Sequence, residues 1–278
     1  MSSVQEREIW RLIHSPAARG AFNMGLDEAI LESVSSEQAL PTLRLYAWDP
    51  PCLSLGYAQP AVDVDRDLLD RQGWDWVRRP TGGRAILHTD ELTYSIAAPI
   101  NNPHVAGGIL ESYRHLSQGL VAGLENLGLH VQSQPGASST PQEVQGNPVC
   151  FENPGAYELT FDRRKLVGSA QVRRRLGVLQ HGTLPLCGDL GRIGLALRFD
   201  SSQSRWAAQE RVRRQAATVE DVLGRQVAWS TAAEALAEGF ASALGIELRR
   251  EDPSPGELSR AEQLVRTRYG TAEWTERV

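Results

Sequence analysis

A single amine among many guanidinium groups is the first chemical signal in this chain. Lysine and arginine together number 29, and only Lys165 is a lysine. A lysine amine is a compact donor that can shift its pKa and exchange a proton, which a guanidinium does not do at ordinary pH. We therefore expect Lys165 to take part in chemistry. The alternative is compositional, because an arginine-rich chain can leave one lysine at an arbitrary position.

Two glycine-containing segments are the next candidates. The first, residues 78–88, reads RRPTGGRAILH. Its Gly82-Gly83 pair permits positive φ and lets backbone N–H groups approach a ligand. The segment matches neither the phosphate loop nor the dinucleotide-binding fingerprint, and a tight polar turn is the alternative interpretation.

The second segment, residues 164–186, reads RKLVGSAQVRRRLGVLQHGTLPL. It joins Lys165 to Gly168-Ser169, then to three arginines at 173–175, and then to His181-Gly182. The arginines fall where two strands would turn. A solvated basic turn and a docking site for an acidic partner are both consistent with that placement.

Three cysteines complete the set of reactive side chains: Cys52, Cys150 and Cys187. Their odd number and wide spacing argue against a disulfide framework or a metal site and leave room for a working thiol. Cys52 and Cys187 lie in apolar runs, where cysteine is usually a small buried hydrophobe. We expect no metal and no bound cofactor.

Composition narrows the functional classes. The chain has 278 residues, 41% of them hydrophobic, and a net charge of −5. This acidic balance gives no global basic field for nucleic acid. The first residues carry charges where a signal peptide needs an apolar core, and no run is long enough to span a membrane. These features predict a cytoplasmic protein that binds neither nucleic acid nor membrane.

Elements that would position these groups follow from periodicity. Apolar spacing predicts helices over 23–34 and 109–127, and capping patterns predict helix starts near Thr218 and Thr231. A turn at 49–51 predicts a hairpin or a tight strand connection, and polar residues at 132–148 predict a mobile loop. Strand-like runs cover residues 42–48, 52–57, 74–79, 85–88, 92–98, 156–161, 165–172 and 177–186.

The predicted strands come in clusters instead of alternating strictly with helices. This order favours an α+β fold with a mixed β-sheet flanked by helices over a doubly wound fold. Residues 1–252 are expected to form a single catalytic domain. Prolines at 253 and 255 are expected to separate it from a helical tail, 253–278, that packs on the domain.

In combination, the two glycine segments and residues 23–28, NMGLDE, resemble the lipoate-protein ligase and octanoyltransferase family over roughly residues 10–269. The resemblance implies a fold like the catalytic domain of biotin-protein ligases and a pocket for a medium-chain acyl group. The residues that it places around the acyl substrate are Arg79, Gly82, Gly83, His88, Lys165, Gly168, Ser169, His181 and Gly182.

The segment around Cys150 indicates which branch of the family this chain resembles. The segment Cys150-Phe151-Glu152 resembles the one that carries the cysteine nucleophile in the octanoyltransferases. Ligases of the family often have a C-terminal accessory domain, whereas little more than a helix follows residue 253 here. Both features favour the transferase. The alternatives are an ATP-dependent lipoate-protein ligase in which Lys165 binds the adenylate, an amidotransferase that moves octanoate between lipoyl proteins, and a non-catalytic binding module.

The transferase reading implies a covalent relay with Cys150 and Lys165 as catalytic residues. The Cys150 thiolate would attack the thioester of an octanoyl-acyl carrier protein, and an acceptor lysine would then take the acyl group from Cys150. Lys165 would exchange protons in both steps. The implied acceptors are lipoyl-domain proteins, such as the glycine cleavage H protein and the acyltransferase subunits of 2-oxoacid dehydrogenases.

Overall fold

The computed structural model describes residues 7–134 and 158–278. Its strands are Ile9–His14 (β1), Thr42–Tyr46 (β2), Cys52–Leu55 (β3), Asp75–Arg78 (β4), Ile86–His88 (β5), Glu91–Pro99 (β6), Gln132–Gln134 (β7), Glu158–Phe161 (β8), Arg164–Arg173 (β9), Gly177–Pro185 (β10) and Glu247–Arg250 (β11). Its α-helices are Gly20–Ser35 (α1), Arg66–Gln72 (α2), Ile109–Asn126 (α3), Ser202–Gln215 (α4), Val219–Leu223 (α5), Trp229–Leu244 (α6), Pro255–Leu264 (α7) and Ala272–Thr275 (α8).

Eight of the strands form one large sheet in the order β11-β1-β2-β6-β10-β9-β8-β7. Strand β1 lies parallel to β2 and to β11, whereas β6, β10 and β9 pair with their neighbours in antiparallel fashion. The predicted α+β fold with a mixed sheet flanked by helices is therefore confirmed.

Alternate residues of the large sheet pack against different helices. Val178 of β10 belongs to the core beneath α3 and α6, and the adjacent Leu179 belongs to the core beneath α1 and α7. Successive strand side chains point to opposite faces, so the two cores cover the two sides of one sheet. Helix α3 lies where the sequence predicts a helix and ends just before Gly128, which has φ of +87°.

A second sheet of three strands, in the order β4-β3-β5, completes the architecture. Strand β3 pairs in parallel with β4 and antiparallel with β5. The turn at residues 49–51 is thus a tight connection between two sheets, and the predicted hairpin is wrong because β2 and β3 never pair. Strands β4 and β5 lie on either side of Gly82-Gly83 in the sequence, but they do not pair with each other. Both pair with β3.

Two further local predictions need correction. Residues 132–134, assigned to a mobile loop, form β7 and pair with β8, and the remainder of the predicted loop lies outside the described residues. Helix α6 begins at Trp229, two residues before the predicted cap at Thr231. The cap at Thr218 is confirmed, because its side chain accepts from the backbone N–H of Asp221 while the Asp221 carboxylate accepts from the Thr218 N–H.

The C-terminal helices close the molecule against its first elements. Helix α7 packs on α1, and the Glu257 carboxylate at its start accepts two hydrogen bonds, of 2.7 and 3.1 Å, from Arg11 of β1. Beyond a π-helical turn, Val265–Tyr269, the backbone carbonyl of Thr275 accepts two hydrogen bonds from Arg78. These contacts tie the C-terminal helices to both sheets.

Within the described ranges, no helix combines the length and the apolar character needed to cross a membrane.

The buried Arg11–Glu257 pair yields a stability prediction. Glu257→Gln keeps the size of the side chain and its place in the α7 capping box, but it leaves the Arg11 charge buried without a counter-charge. Breaking a buried pair in this way costs about 3–5 kcal/mol, so we expect the free energy of unfolding in urea to fall by that amount. Glu262→Gln is the control, since the Glu262–Arg266 pair is exposed and is expected to contribute no more than about 1 kcal/mol.

The same pair predicts a pH dependence. Burial by itself raises the pKa of Glu257, but the hydrogen bonds from Arg11 and Ser254 outweigh it, so the pKa lies below its ordinary value of 4.5. A group with a lowered folded pKa contributes stability above its unfolded pKa and loses it as the pH falls through the folded pKa. The gap in unfolding free energy between the wild type and Glu257→Gln should therefore narrow below about pH 4.5. A gap that stayed constant down to pH 2 would contradict this assignment.

Candidate functional site

A narrow cavity of about 40 Å³ lies where the small sheet meets β6, β9 and β10 of the large sheet. Helix α1 supplies one wall through Met24. The cavity is lined by Met24, Tyr46, Trp48, Ser54, Arg79, Gly83, Ile86, His88, Thr93, Gly168, Ser169, Ala170, His181, Gly182 and Thr183. Both glycine segments that the sequence singled out therefore meet at one place, although residues 89–163 separate them along the chain.

Seven of the ten predicted site residues line this cavity. They are Arg79, Gly83, His88, Gly168, Ser169, His181 and Gly182. Gly82 lies in the adjoining loop, and its carbonyl accepts hydrogen bonds from Arg79. The structure thus brings the two segments together, while the chemical role of each residue stays a prediction.

The two predicted catalytic residues, Lys165 and Cys150, are not among the described residues that line the cavity. Lys165 is 4% exposed on β9, where its carbonyl accepts from the Ala217 N–H, and it is not among the residues that line the cavity. Cys150 lies outside the described residues. The meeting of thiol and amine that the relay requires stays a prediction.

The loop after β4 is held in shape by the Arg79 guanidinium. Its nitrogens donate to the carbonyls of Ser54, Gly82 and Arg84 and to the Ser54 hydroxyl, at 2.7–3.2 Å. Gly83 has φ of +92°, and a Cβ there would lie 2.8 Å from a guanidinium nitrogen of Arg79. Only glycine fits this conformation and this contact without strain. The Gly-Gly turn is therefore a loop built around an arginine at the cavity wall.

His88 is fixed by partners on both ring nitrogens. Its Nδ1 lies 2.7 Å from a Glu91 carboxylate oxygen, and its Nε2 lies 2.8 Å from the Ser54 hydroxyl. A carboxylate only accepts, so Nδ1 carries a proton that it donates to Glu91. The indole of Trp48 stacks on the ring with centroids 4.0 Å apart. The imidazole is thereby held in a fixed orientation at the cavity wall.

The same Glu91 oxygen ends a second chain of hydrogen bonds. The Trp48 indole N–H donates to Thr93 at 2.7 Å, and the Thr93 hydroxyl donates to Glu91 at 2.6 Å. Neighbouring strands of both sheets are thus connected through one carboxylate. This network orients the aromatic wall on which His88 stacks.

His181 faces a buried carboxylate of α1. Its Nδ1 lies 3.6 Å from Asp27, and its Nε2 lies 2.7 Å from the Thr81 hydroxyl. Burial lowers the pKa of His181, although the charge of Asp27 opposes that effect. The ring is therefore neutral at neutral pH, and its Nε2 shares a hydrogen bond with the Thr81 hydroxyl. It holds the Thr81–Gly83 loop against β10.

The Asp27 carboxylate accepts hydrogen bonds from three side chains near the cavity. Its carboxylate accepts from Arg44 at 2.7 Å, from Tyr46 at 2.9 Å and from Ser95 at 2.7 Å. Burial by itself raises the pKa of Asp27, but the Arg44 charge and the contacts with His181 and Ser95 outweigh it, so the pKa lies below its ordinary value. The ionised carboxylate locks α1 to the sheet.

On the other face of the sheet, Ser169 begins a polar chain. Its hydroxyl lies 2.7 Å from the Tyr94 hydroxyl, which accepts from Gln180 at 3.0 Å. Gly182 opposes Ser169, and a Cβ there would lie 2.6 Å from the Ser169 Oγ and equally close to the Gly168 carbonyl and the Tyr94 ring. The absence of a side chain at Gly182 is what allows β9 and Tyr94 to approach β10 so closely.

The predicted basic turn is found between β9 and β10. Arg173 donates to the carbonyl of Val105, and Arg174 pairs with Glu28 at 3.3 Å. Arg174, Arg175 and Leu176 are exposed at the surface. The turn is thus anchored by two of its arginines and presents a basic surface.

Several site residues were not identified from the sequence. The cavity-lining residues Met24, Trp48, Ser54 and Thr183 were not among the predicted site residues. Asp27 lies within the NMGLDE motif. The only sequence signal that placed it near the site was its spacing of three residues from Met24 on a predicted helix. The other residues come from strands of two sheets, and local sequence spacing does not predict that these two sheets meet.

The remaining reactive groups fit structural roles. Cys52 is fully buried, and burial raises the pKa of its thiol well above the ordinary value. Cys187 is half-buried, and burial likewise raises its pKa. Over residues 7–134 and 158–278, no cluster of three or more His, Cys, Asp and Glu side chains could hold a metal ion.

Known proteins resemble this chain over nearly its whole length. Octanoyltransferase LipM of Kyrpidia tusciae is 41% identical over 97% of this chain and 99% of its own. Octanoyltransferase LipM of Bacillus subtilis is 35% identical over 97% and 98%.

Solved structures agree with the fold. The bipartite lipoate protein ligase of Thermoplasma acidophilum superposes with a TM-score of 0.80 at 24% identity, covering 97% of this chain and 96% of its own. A lipoate-protein ligase A bound with ATP gives a TM-score of 0.77 at 25% identity, covering 97% and 98%. The family profile for the lipoyl protein ligase A/B catalytic domain matches residues 19–241. The resemblance noted in the sequence is confirmed, and the chain belongs to the lipoyl protein ligase A/B catalytic domain family.

Proposed function

We propose that this protein transfers an octanoyl group from an octanoyl-acyl carrier protein, through a thioester on Cys150, to a lysine of a lipoyl-domain protein in lipoate biosynthesis. The observation that carries the proposal is the narrow cavity between the sheets, which both family segments line. Its walls combine apolar side chains, such as Met24 and Ile86, with hydrogen-bonded polar groups. Such a lining suits an acyl chain with one polar end. The relatives named octanoyltransferase support the same choice.

The size of the cavity bears on how the substrate enters. About 40 Å³ accommodates only a few water molecules, so an eight-carbon chain needs its walls to move. Met24 is the lining residue best suited to move, because an unbranched thioether side chain adapts to irregular space. His88 is held by two hydrogen bonds and Arg79 by five, and these two side chains form the fixed wall.

The proposed reaction has two acyl transfers. The Cys150 thiolate attacks the thioester carbonyl, the bond from that carbon to the carrier sulfur breaks, and the carrier thiolate takes up a proton. The acceptor amine then attacks the Cys150 thioester, loses a proton and forms an amide as the Cys150 thiol is released. The first step exchanges one thioester for another and needs no ATP. The second replaces a thioester by a more stable amide.

Lys165 is proposed to exchange the protons in these steps. Its ammonium form would protonate the departing carrier thiolate, and its neutral form would accept a proton from the incoming amine. A positive charge nearby also favours the thiolate of Cys150. Both roles need the amine to reach the acyl carbonyl from its buried position on β9.

The acyl-enzyme is tested by intact-mass measurement. We expect the wild type mixed with octanoyl-acyl carrier protein, without ATP, to gain a single octanoyl group. Cys150→Ala should gain none and should lose transfer to a lipoyl-domain protein. Cys187→Ala is the matched control, since it removes a half-buried thiol, and it should behave as the wild type does. Full transfer by Cys150→Ala would overturn the covalent relay, and ATP-dependent transfer from free octanoate would identify a ligase.

The role of Lys165 is tested with Lys165→Arg, which keeps the positive charge but not the proton exchange. General acid–base catalysis contributes about 10²- to 10⁴-fold, so single-turnover transfer should slow by a factor in that range. Thermal unfolding is the control for damage to the fold. A variant that unfolds normally and transfers at the wild-type rate would show that Lys165 exchanges no proton.

The donor's docking site is proposed at the basic turn between β9 and β10. Ala170 lines the cavity, and the turn begins three residues further along β9, a distance of about 10 Å. Leu176 is about half exposed, as are Ile109 and Leu110 at the start of α3. The Arg173 side chain donates to Ser112 of α3, so the two segments adjoin. Positive charge beside exposed apolar side chains suits an acidic carrier protein.

Charge reversal at the exposed Arg175 tests this surface, because Arg173 and Arg174 also contribute contacts within the protein. We expect Arg175→Glu to weaken binding of the octanoyl carrier about ten-fold at low salt and less at 0.5 M salt, where such interactions are screened. Arg225→Glu, an exposed reversal in the α5–α6 loop, changes the net charge equally and serves as the control. Equal effects of the two reversals on the Michaelis constant for the carrier would argue against this docking site.

A further inference from the structure

One polar side chain in the cavity stands apart from the others. Thr183 on β10 is 1% exposed and lines the cavity two residues beyond His181, on the same face of the strand. Its hydroxyl has no hydrogen-bond partner in the part of the chain that the structure describes. A buried hydroxyl without a partner is unfavourable and usually marks an absent ligand or water.

The neighbouring polar groups make this position distinctive. Ser54 bonds to Arg79 and His88, and the Thr93 hydroxyl, opposite Thr183 on β6, bonds to Trp48 and Glu91. The remaining hydroxyl and imidazole groups that line the cavity also have partners. Among the described lining residues, Thr183 therefore offers a side-chain donor that the protein itself does not use.

We propose that the Thr183 hydroxyl binds the carbonyl oxygen of the acyl group and donates a hydrogen bond to the oxyanion that develops there. This inference rests on the proposed octanoyl transfer. An octanoyl chain has eight carbons and one oxygen, so the carbonyl oxygen is the strong acceptor that the chain brings into an apolar slot. A donor in a site shielded from water favours the negative charge of the transition state more than the neutral carbonyl.

The position of Thr183 fits this role. It opposes Gly168 on β9, so no side chain from the facing residue fills the space beside the hydroxyl on that side of the strand. It lies on the strand that carries His181, and both β10 and β9 are central in the large sheet. A donor on a paired central strand is held in place before the substrate arrives, which is the condition for electrostatic preorganisation.

Thr183→Val and Thr183→Ser separate this role from a structural one. Valine keeps the shape of threonine but removes the hydroxyl, and serine keeps the hydroxyl. Loss of one donor to an oxyanion costs about 10²- to 10³-fold in rate, so single-turnover acylation by octanoyl-acyl carrier protein should slow by that factor in Thr183→Val. Thr183→Ser should retain most of the rate. The melting temperature of Thr183→Val should not fall, since no protein hydrogen bond described for Thr183 is lost.

A vibrational measurement gives a second readout that does not depend on turnover. The thioester carbonyl of octanoyl-acyl carrier protein is labelled with ¹³C and bound to Cys150→Ala, with and without Thr183→Val. Its infrared stretching frequency should rise when the hydroxyl is removed, because the hydrogen bond to the carbonyl is lost. Carbonyl bands at the same frequency with and without the hydroxyl would overturn the proposal.

The outcomes distinguish this proposal from the function on which it rests. If the wild type gains no octanoyl group from the carrier, the proposed transfer itself is wrong. If the wild type is acylated and Thr183→Val is acylated at the same rate, only the role of Thr183 is wrong. Slow acylation of Thr183→Val together with a lowered melting temperature and an unshifted carbonyl band would make Thr183 a structural residue and would also overturn the proposal.

Discussion

The ionised Asp27 carboxylate, buried between α1 and the large sheet, is the interaction on which the site depends. It accepts hydrogen bonds from side chains of β2 and β6 and lies beside His181 of β10, so one charge connects a helix to three neighbouring strands. A buried charge is tolerated only when it is paired and fully hydrogen-bonded. The Arg44 guanidinium meets that requirement at 2.7 Å. Because His181 also contacts the loop that carries Gly83, the position of the cavity wall follows from this pair.

Two kinds of wall surround the cavity that results. Polar groups on one side are fixed through carboxylates, Asp27 behind His181 and Glu91 behind His88. Apolar side chains such as Met24 and Ile86 complete the lining. Rigid polar groups suit the reacting carbonyl, and adaptable apolar groups suit a flexible acyl chain. These two kinds of lining are consistent with the proposed transfer, in which the acyl chain enters the cavity and only its carbonyl end reacts.

Local patterns predicted local features well. The helix over 109–127, the cap at Thr218 and the clustering of strands that favours an α+β fold all reflect neighbours in sequence, and the structure agrees with each. The partners of β2 and β3 were not predictable, since the turn between them fits a hairpin as well as a change of sheet. Trp48 was missed for the same reason, because its stacking on His88 exists only once two sheets meet. The meeting of Cys150 with Lys165 stays a prediction, as does the division of the chain at residue 253.

The C-terminal contacts have a consequence for how the molecule is made. Strand β1 receives its outer neighbour β11 and the carboxylate that neutralises Arg11 only after residues 247–257 have been synthesised. Arg78, which is next to the cavity residue Arg79, can donate to the carbonyl of Thr275 only after residue 275 has been synthesised. A chain truncated before residue 247 would therefore lack both the outer strand and the Thr275 carbonyl that binds Arg78.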